Sequence, residues 1–149
     1  MKGKRHKSFE DFIAVAEDMV ARKITSPDHL GIEGGSNGGL LVGAAFTMKP
    51  ELFKAVLCAV PLLDMRRYHE LLAGASWMSE YGDPDKPEEW EFIKSWSPYH
   101  NLKKGANYPK VFFFTSTRDD RVHPGHSRKM VARMEEMGYP VYYLSLIHI

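Results

Sequence analysis

The chain has 149 residues, 44% hydrophobic and 26% charged, which suits one folded domain with its own core and not a disordered segment. With 20 basic and 19 acidic residues the formal net charge is +1, so electrostatics recommends neither a nucleic acid nor an anionic membrane as partner. The lone Cys58 excludes an internal disulfide and fits a cytoplasmic setting, and the longest apolar stretch, Leu40 to Met48, is too short to span a bilayer.

The basic opening, Lys2 to Lys7, reads as a solvated start and lacks the apolar run of a secretory signal. Ser8 to Arg22 has helical spacing, with Phe9, Phe12, Ile13, Ala16, Met19 and Val20 on one face and Ser8 as N-cap. Thr25-Ser26-Pro27-Asp28 breaks that helix. Leu30 to Gly34 is a short strand, followed at once by a helix over Gly39 to Met48. Ala55 to Val60 is a second buried strand, in which Cys58 reads as a small hydrophobe. The aromatic-rich middle, Leu62 to Gly105, holds helix candidates at Met65 to Leu72 and Pro87 to Trp96, the latter opened by Pro87, Glu88 and Glu89. Val111 to Thr115 reads as a strand buried on both faces. Pro124 to Met137 is a helix stopped by Gly138, and Pro140 to Leu146 is a last strand. This alternation predicts an α/β fold: a mainly parallel sheet with helices on both faces and reactive groups at the carboxyl ends of its strands.

Two segments fall at such ends. Gly34-Gly35-Ser36-Asn37-Gly38 fits the G-x-S-x-G pattern between a strand and a helix. A nucleophilic serine there needs a sharp, strained turn, flanking glycines that let strand and helix pass closely, and an oxyanion donor from the next N–H, that of Asn37. A surface Gly/Ser loop is the competing reading, and the strand–turn–helix setting disfavours it. Ser116 to Val122 follows the Phe-rich strand, where the acid of a Ser, Asp, His chain order belongs. The residues alone leave a charged surface turn equally open, with Arg118 and Arg121 neutralising Asp119 and Asp120.

Four motifs then occur in order: Gly34-Gly35-Ser36-Asn37-Gly38-Gly39, Trp77 with Tyr81-Gly82, Ser97-Pro98-Tyr99-His100-Asn101, and Asp119-Asp120-Arg121-Val122. Together, from about Phe9 to Tyr143, they closely resemble the catalytic domain of the prolyl oligopeptidase family of serine peptidases in its bacterial form. The resemblance implies a partial α/β-hydrolase domain over 1–149 that acts on short peptides. It makes Ser36 the nucleophile, Asp119 the triad acid and Asn37 half of the oxyanion hole. Arg121 resembles the arginine that binds a substrate carbonyl, a role suited to its forked donors. Trp77 resembles the indole that stacks on the substrate proline, with Tyr81 and Val122 lining the same pocket. On its own Trp77 reads as a core aromatic, as do Trp90 and Trp96.

The pattern is also incomplete. The family's catalytic histidine lies in a Gly-Gly-His loop after the strand matching Pro140 to Tyr143, and this chain is expected to lack it. The β-propeller and the second oxyanion donor are likewise expected to lie outside it. Leu144 to Ile149 departs from the family pattern and reads as a foreign tail. His123 and His126 follow the acid too closely to serve as its base, and His148 falls in an apolar strand. His6, His29, His69 and His100 read as surface or capping residues. Histidine spacing gives no metal-ligand set, so neither metal nor cofactor is expected. The expected activity is peptide hydrolysis after proline through an acyl-enzyme, the chain itself being inactive for want of a base. The alternatives are an aminopeptidase, acylpeptidase or esterase of the same fold, or a non-catalytic fragment.

Overall fold

The computed structural model describes residues 4–147; Lys2, His148 and Ile149 lie outside them. Four strands form one parallel sheet in the order β1-β2-β3-β4: β1 Gly31–Gly35, β2 Ala55–Ala59, β3 Lys110–Ser116 and β4 Val141–Leu146. Helix α1 (His6–Ala21) precedes the sheet, and α2 (Asn37–Met48) joins β1 to β2. The long β2–β3 connection carries α3 (Met78–Tyr81), α4 (Pro87–Trp96) and α5 (Pro98–Asn101), and α6 (Gly125–Glu136) joins β3 to β4.

The elements follow local chemistry closely. Helix α4 spans the range that Pro87 and the two glutamates predicted. Helix α6 closes at Gly138, whose φ of +86° admits the two capping bonds Gly138 N–H to Glu135 O and Tyr139 N–H to Met134 O, both 2.9 Å. Helix α1 begins at His6, two residues before the expected Ser8, and no side chain caps it. The helix expected over Met65 to Leu72 is absent. Asp64 Oδ1 accepts the Arg66 N–H in a local turn, and short 3-10 turns occupy Tyr68–Glu70 and Leu72–Trp77. Leu72 at φ +49° cannot continue a right-handed helix.

Sheet cover differs from expectation. Val56, Cys58, Val111 and Phe113 share one face and are buried in a core with Val42 and Phe46 of α2 and Met130 and Met134 of α6. Helix α1 adds Ile13 and Ala16 to that core. On the opposite face Leu57, Phe112 and Phe114 are half-buried, and Tyr142 and Leu144 are 58% and 43% exposed. Among the described residues, then, helices cover one face, where both were expected. The strand order explains it: every connection advances one strand in the same direction, and connections of one hand place their helices on one side. Leu144, Ser145 and Leu146 pair with Phe114, Thr115 and Ser116, so this part of the unusual tail continues β4.

A second core gathers the middle of the chain around the first half of α2. It contains Phe9, Leu40, Ala44, Tyr68, Tyr81, Ile93, Trp96 and Val122, with Trp77 packed against it. Each large side chain buried there contributes roughly 1.5–3 kcal/mol. This core adjoins the ends of β1 and β3.

Candidate active site

The chain leaves β1 at Gly35 and enters α2 at Asn37, with Ser36 alone between them at φ +55°, ψ −116°. That is the left-handed side of the map, costly for a residue with a Cβ, and it persists because the surroundings over-determine it. A Cβ on Gly34 would lie 2.2 Å from Gly38 O, and one on Gly39 2.7 Å from Pro61. Strand and helix therefore cross at a distance only glycine allows. Ser36 N–H donates to Ala59 O at 2.9 Å, pinning the turn to the end of β2. The result exposes the Ser36 side chain at the amino end of a twelve-residue helix, where backbone N–H groups favour a developing negative charge.

Asn37 is held from two sides. Tyr81 Oη donates to its Oδ1 at 2.9 Å, and Arg5 Nη2 donates to the same oxygen. Arg5 also reaches Glu80 Oε1 at 2.5 Å and lies over the Tyr81 ring. The basic opening is thus more than a solvated start: Arg5 locks α1 onto the Ser36 turn. Nothing in the sequence signals this contact across 32 positions. Tyr81 is only 2% exposed, and burial, with help from Glu80, pushes its hydroxyl up to about 12, so it acts as a donor.

The Asp119 loop follows β3. Asp119 is half-buried, and its Oδ1 accepts the N–H groups of Arg121 and Val122, both at 2.9 Å. The carboxylate thereby shapes its own loop, turning Val122 into the second core at 4% exposure and leaving Arg121 exposed. Arg121 O accepts the Ala73 N–H at 3.4 Å, which ties this loop to the turn carrying half-buried Trp77. Ser36, Asn37, Trp77, Arg121 and Asp119 thus lie on segments that touch one another. Tyr81 and Val122, expected as pocket walls, are buried behind that surface.

Five of the described histidines each have a ring nitrogen bonded elsewhere. His29 bonds Ser26 Oγ at 2.8 Å, His69 bonds Asp85 at 3.0 Å and His100 bonds Ser97 Oγ at 2.8 Å. His123 Nδ1 accepts the Gly125 N–H at 2.9 Å, and His126 Nδ1 accepts backbone N–H groups from Leu63 and Asp64. Among the described residues the fold gathers one group that spacing did not reveal: His69, Asp83 and Asp85, with ligand atoms within 4.8 Å of one another. It is already bonded internally, with Arg66 Nη1 3.9 Å from Asp85. Cys58 is buried with its thiol against Gly39 O, and burial pushes its pKa up, so it is inert.

The model of the prolyl oligopeptidase family matches residues 2–147. The chain belongs to that family. It is 55% identical over 143 residues, 96% of its length, to an uncharacterized peptidase of Sinorhizobium fredii, and covers 20% of that protein. It is 45% identical to a prolyl endopeptidase of Elizabethkingia miricola, over 90% of this chain and 19% of that one. Among solved structures, a post-proline cleaving enzyme from Rickettsia typhi superposes with a TM-score of 0.95 at 47% identity, over 98% of this chain and 21% of that one. Oligopeptidase B from Leishmania major does so with 0.93 at 30%, over 98% and 21%. The chain spans about a fifth of the length of the relatives it matches. Its sheet and helices are accordingly part of the α/β-hydrolase fold of prolyl oligopeptidases.

Proposed function

We propose that this chain carries the nucleophile and the triad acid of a serine peptidase that cleaves short peptides after proline. The observation that carries the proposal is Ser36 itself, exposed at a strained φ of +55° between a strand end and a helix start. Its hydroxyl attacks the scissile carbonyl, forming an acyl-enzyme, while the Asn37 N–H stabilises the oxyanion. Asp119 holds the imidazole of the base in one tautomer and stabilises the imidazolium. Arg121 hydrogen-bonds a substrate carbonyl, and Trp77 presents a flat wall to the proline ring, backed by Tyr81 and Val122. The names of the relatives, a prolyl endopeptidase and a post-proline cleaving enzyme, support that preference.

The base belongs to a longer cytoplasmic polypeptide of which this chain is a piece. This part of the reading is supported by five histidines that each have one ring nitrogen bonded elsewhere. The 149-residue chain by itself then turns over on the order of a million-fold more slowly than the complete enzyme. A fluorophosphonate probe and a Gly-Pro chromogenic peptide test both parts. The full-length protein should label at Ser36 and cleave, and Ser36→Ala should abolish both. The isolated chain should do neither. Robust turnover by the isolated chain would place a base among its own histidines, and faster cleavage after alanine than after proline would overturn the substrate assignment.

A further inference from the structure

We infer that His126 is a positioning residue, whose buried ring fixes the nucleophile turn and the Asp119 loop relative to each other. The inference rests on the serine-peptidase reading. Ser36 follows β1 and Asp119 follows β3, so the chain leaving β2 lies between them. That segment, Ala59 to Asp64, touches both sides. Ala59 O accepts the Ser36 N–H at 2.9 Å, and Pro61 packs where a Cβ on Gly39 would sit. On the other side Val60 N–H donates to Phe114 O at 2.7 Å. Val60 has a φ of +37°, a rare conformation for a β-branched residue, so the segment is held under strain by its contacts.

His126 supplies the decisive contact. It lies in the first turn of α6, directly after the acid loop, and is 1% exposed. Its Nδ1 accepts the N–H groups of Leu63 at 3.3 Å and Asp64 at 3.1 Å. One nitrogen accepting two backbone donors requires a neutral ring with its proton on Nε2. Burial, with help from His123 and Lys129, outweighs the facing Asp64, which favours protonation, and keeps the ring neutral. Asp64 is itself buried, paired with Lys129 of α6 and 3.8 Å from His100 Nε2.

The far side of the segment is closed by the Ser97 to Asn101 motif, which the proposed chemistry leaves without a task. Ser97 Oγ accepts the Met65 N–H at 3.2 Å, and Tyr99 N–H donates to Leu63 O at 3.0 Å. The β2 exit is therefore a strut clamped between α5 and α6. Removing its His126 end leaves two buried donors without an acceptor and frees the acid loop to shift against Ser36.

The test uses the full-length protein and three variants. His126→Asn keeps an acceptor near the Nδ1 position but takes no proton; His126→Leu keeps bulk without an acceptor; His126→Gln moves the acceptor one bond outward. Misplacement by about 1 Å costs on the order of 100-fold. We expect kcat and the rate of fluorophosphonate labelling at Ser36 to fall roughly 10- to 100-fold in the Leu and Gln variants. KM should stay within about threefold, and His126→Asn should recover most of the loss. Wild-type labelling rates in a folded Leu or Gln variant would overturn the inference alone, as would equal losses in all three. A wild-type protein that does not label would overturn the peptidase reading and the inference together.

Discussion

The Ser36 turn and the Asp119 loop end two parallel strands of one sheet, yet they are held by different means. The bend at Ser36 is set by backbone sterics within a few residues, Gly34 against Gly38 O and Ser36 at φ +55° between strand and helix, with Tyr81 and Arg5 bonding Asn37 beside it. The loop is held by polar side chains acting on backbone: Asp119 Oδ1 on two N–H groups of its own loop, and His126 on two N–H groups 62 and 63 positions away. A steric device is rigid, indifferent to pH and written in consecutive residues. A polar one is tunable, sensitive to protonation and assembled only by the fold.

The largest contrast comes from Asp119→Asn. The amide keeps an oxygen for the Arg121 and Val122 N–H groups, so the loop and the stability of the chain should be nearly unchanged. In the full-length protein kcat should nevertheless fall on the order of 10⁴-fold, because the imidazole loses its correct tautomer. A large drop in melting temperature alongside lost activity would show that the charge, and not the acceptor geometry, builds the loop. Gly34→Ala should do the opposite. Its Cβ would lie 2.2 Å from Gly38 O and 2.5 Å from Gly38 C, backbone atoms that cannot swing aside. We expect a loss of about 3 kcal/mol or more by urea unfolding, with the acid loop untouched.

The same contrast explains what the sequence disclosed. The elbow at Ser36, the helix over Pro87–Trp96 and the Gly138 stop were legible because each is imposed by neighbours in the chain. The α/β class and the parallel sheet followed from alternation. The one-sided helix cover did not, since it depends on strand order. Nor did Arg5 on Asn37, or the removal of Tyr81 and Val122 from the surface. The helix expected over Met65 to Leu72 failed for a related reason. Tyr68 is drawn fully into the second core and donates its hydroxyl to Gly82 O, which fixes that stretch through tertiary contacts against its local periodicity.

Acid should loosen the polar device and spare the steric one. Burial lowers the His126 pKa from 6.5 to about 4, so the folded state resists a proton that the unfolded state accepts. The sign follows: the contribution of the neutral ring is fully present above about pH 6.5 and is lost as pH falls toward about 4. That window is worth up to about 3 kcal/mol of stability. His126→Asn, which keeps an acceptor and has nothing to protonate, should flatten this part of the profile when urea midpoints are compared at pH 7, 6, 5 and 4. Parallel profiles for the two proteins would mean that groups other than His126 carry the acid sensitivity.

The smallest expected effect isolates the strain at the nucleophile. Ser36→Gly keeps the turn and removes the Cβ that makes φ +55° costly. Against Ser36→Ala, which keeps the Cβ, the glycine variant should be more stable by about 1 kcal/mol in urea, while both lack labelling. Added freedom of the unfolded glycine chain offsets part of this gain by up to about 1 kcal/mol, so a gain that survives is a lower limit on the strain. A glycine variant less stable than the alanine one by more than about 1 kcal/mol would mean the turn is relaxed as it stands. The tight approach of Gly34 to Gly38 would then account for the geometry of the elbow without stored strain at Ser36.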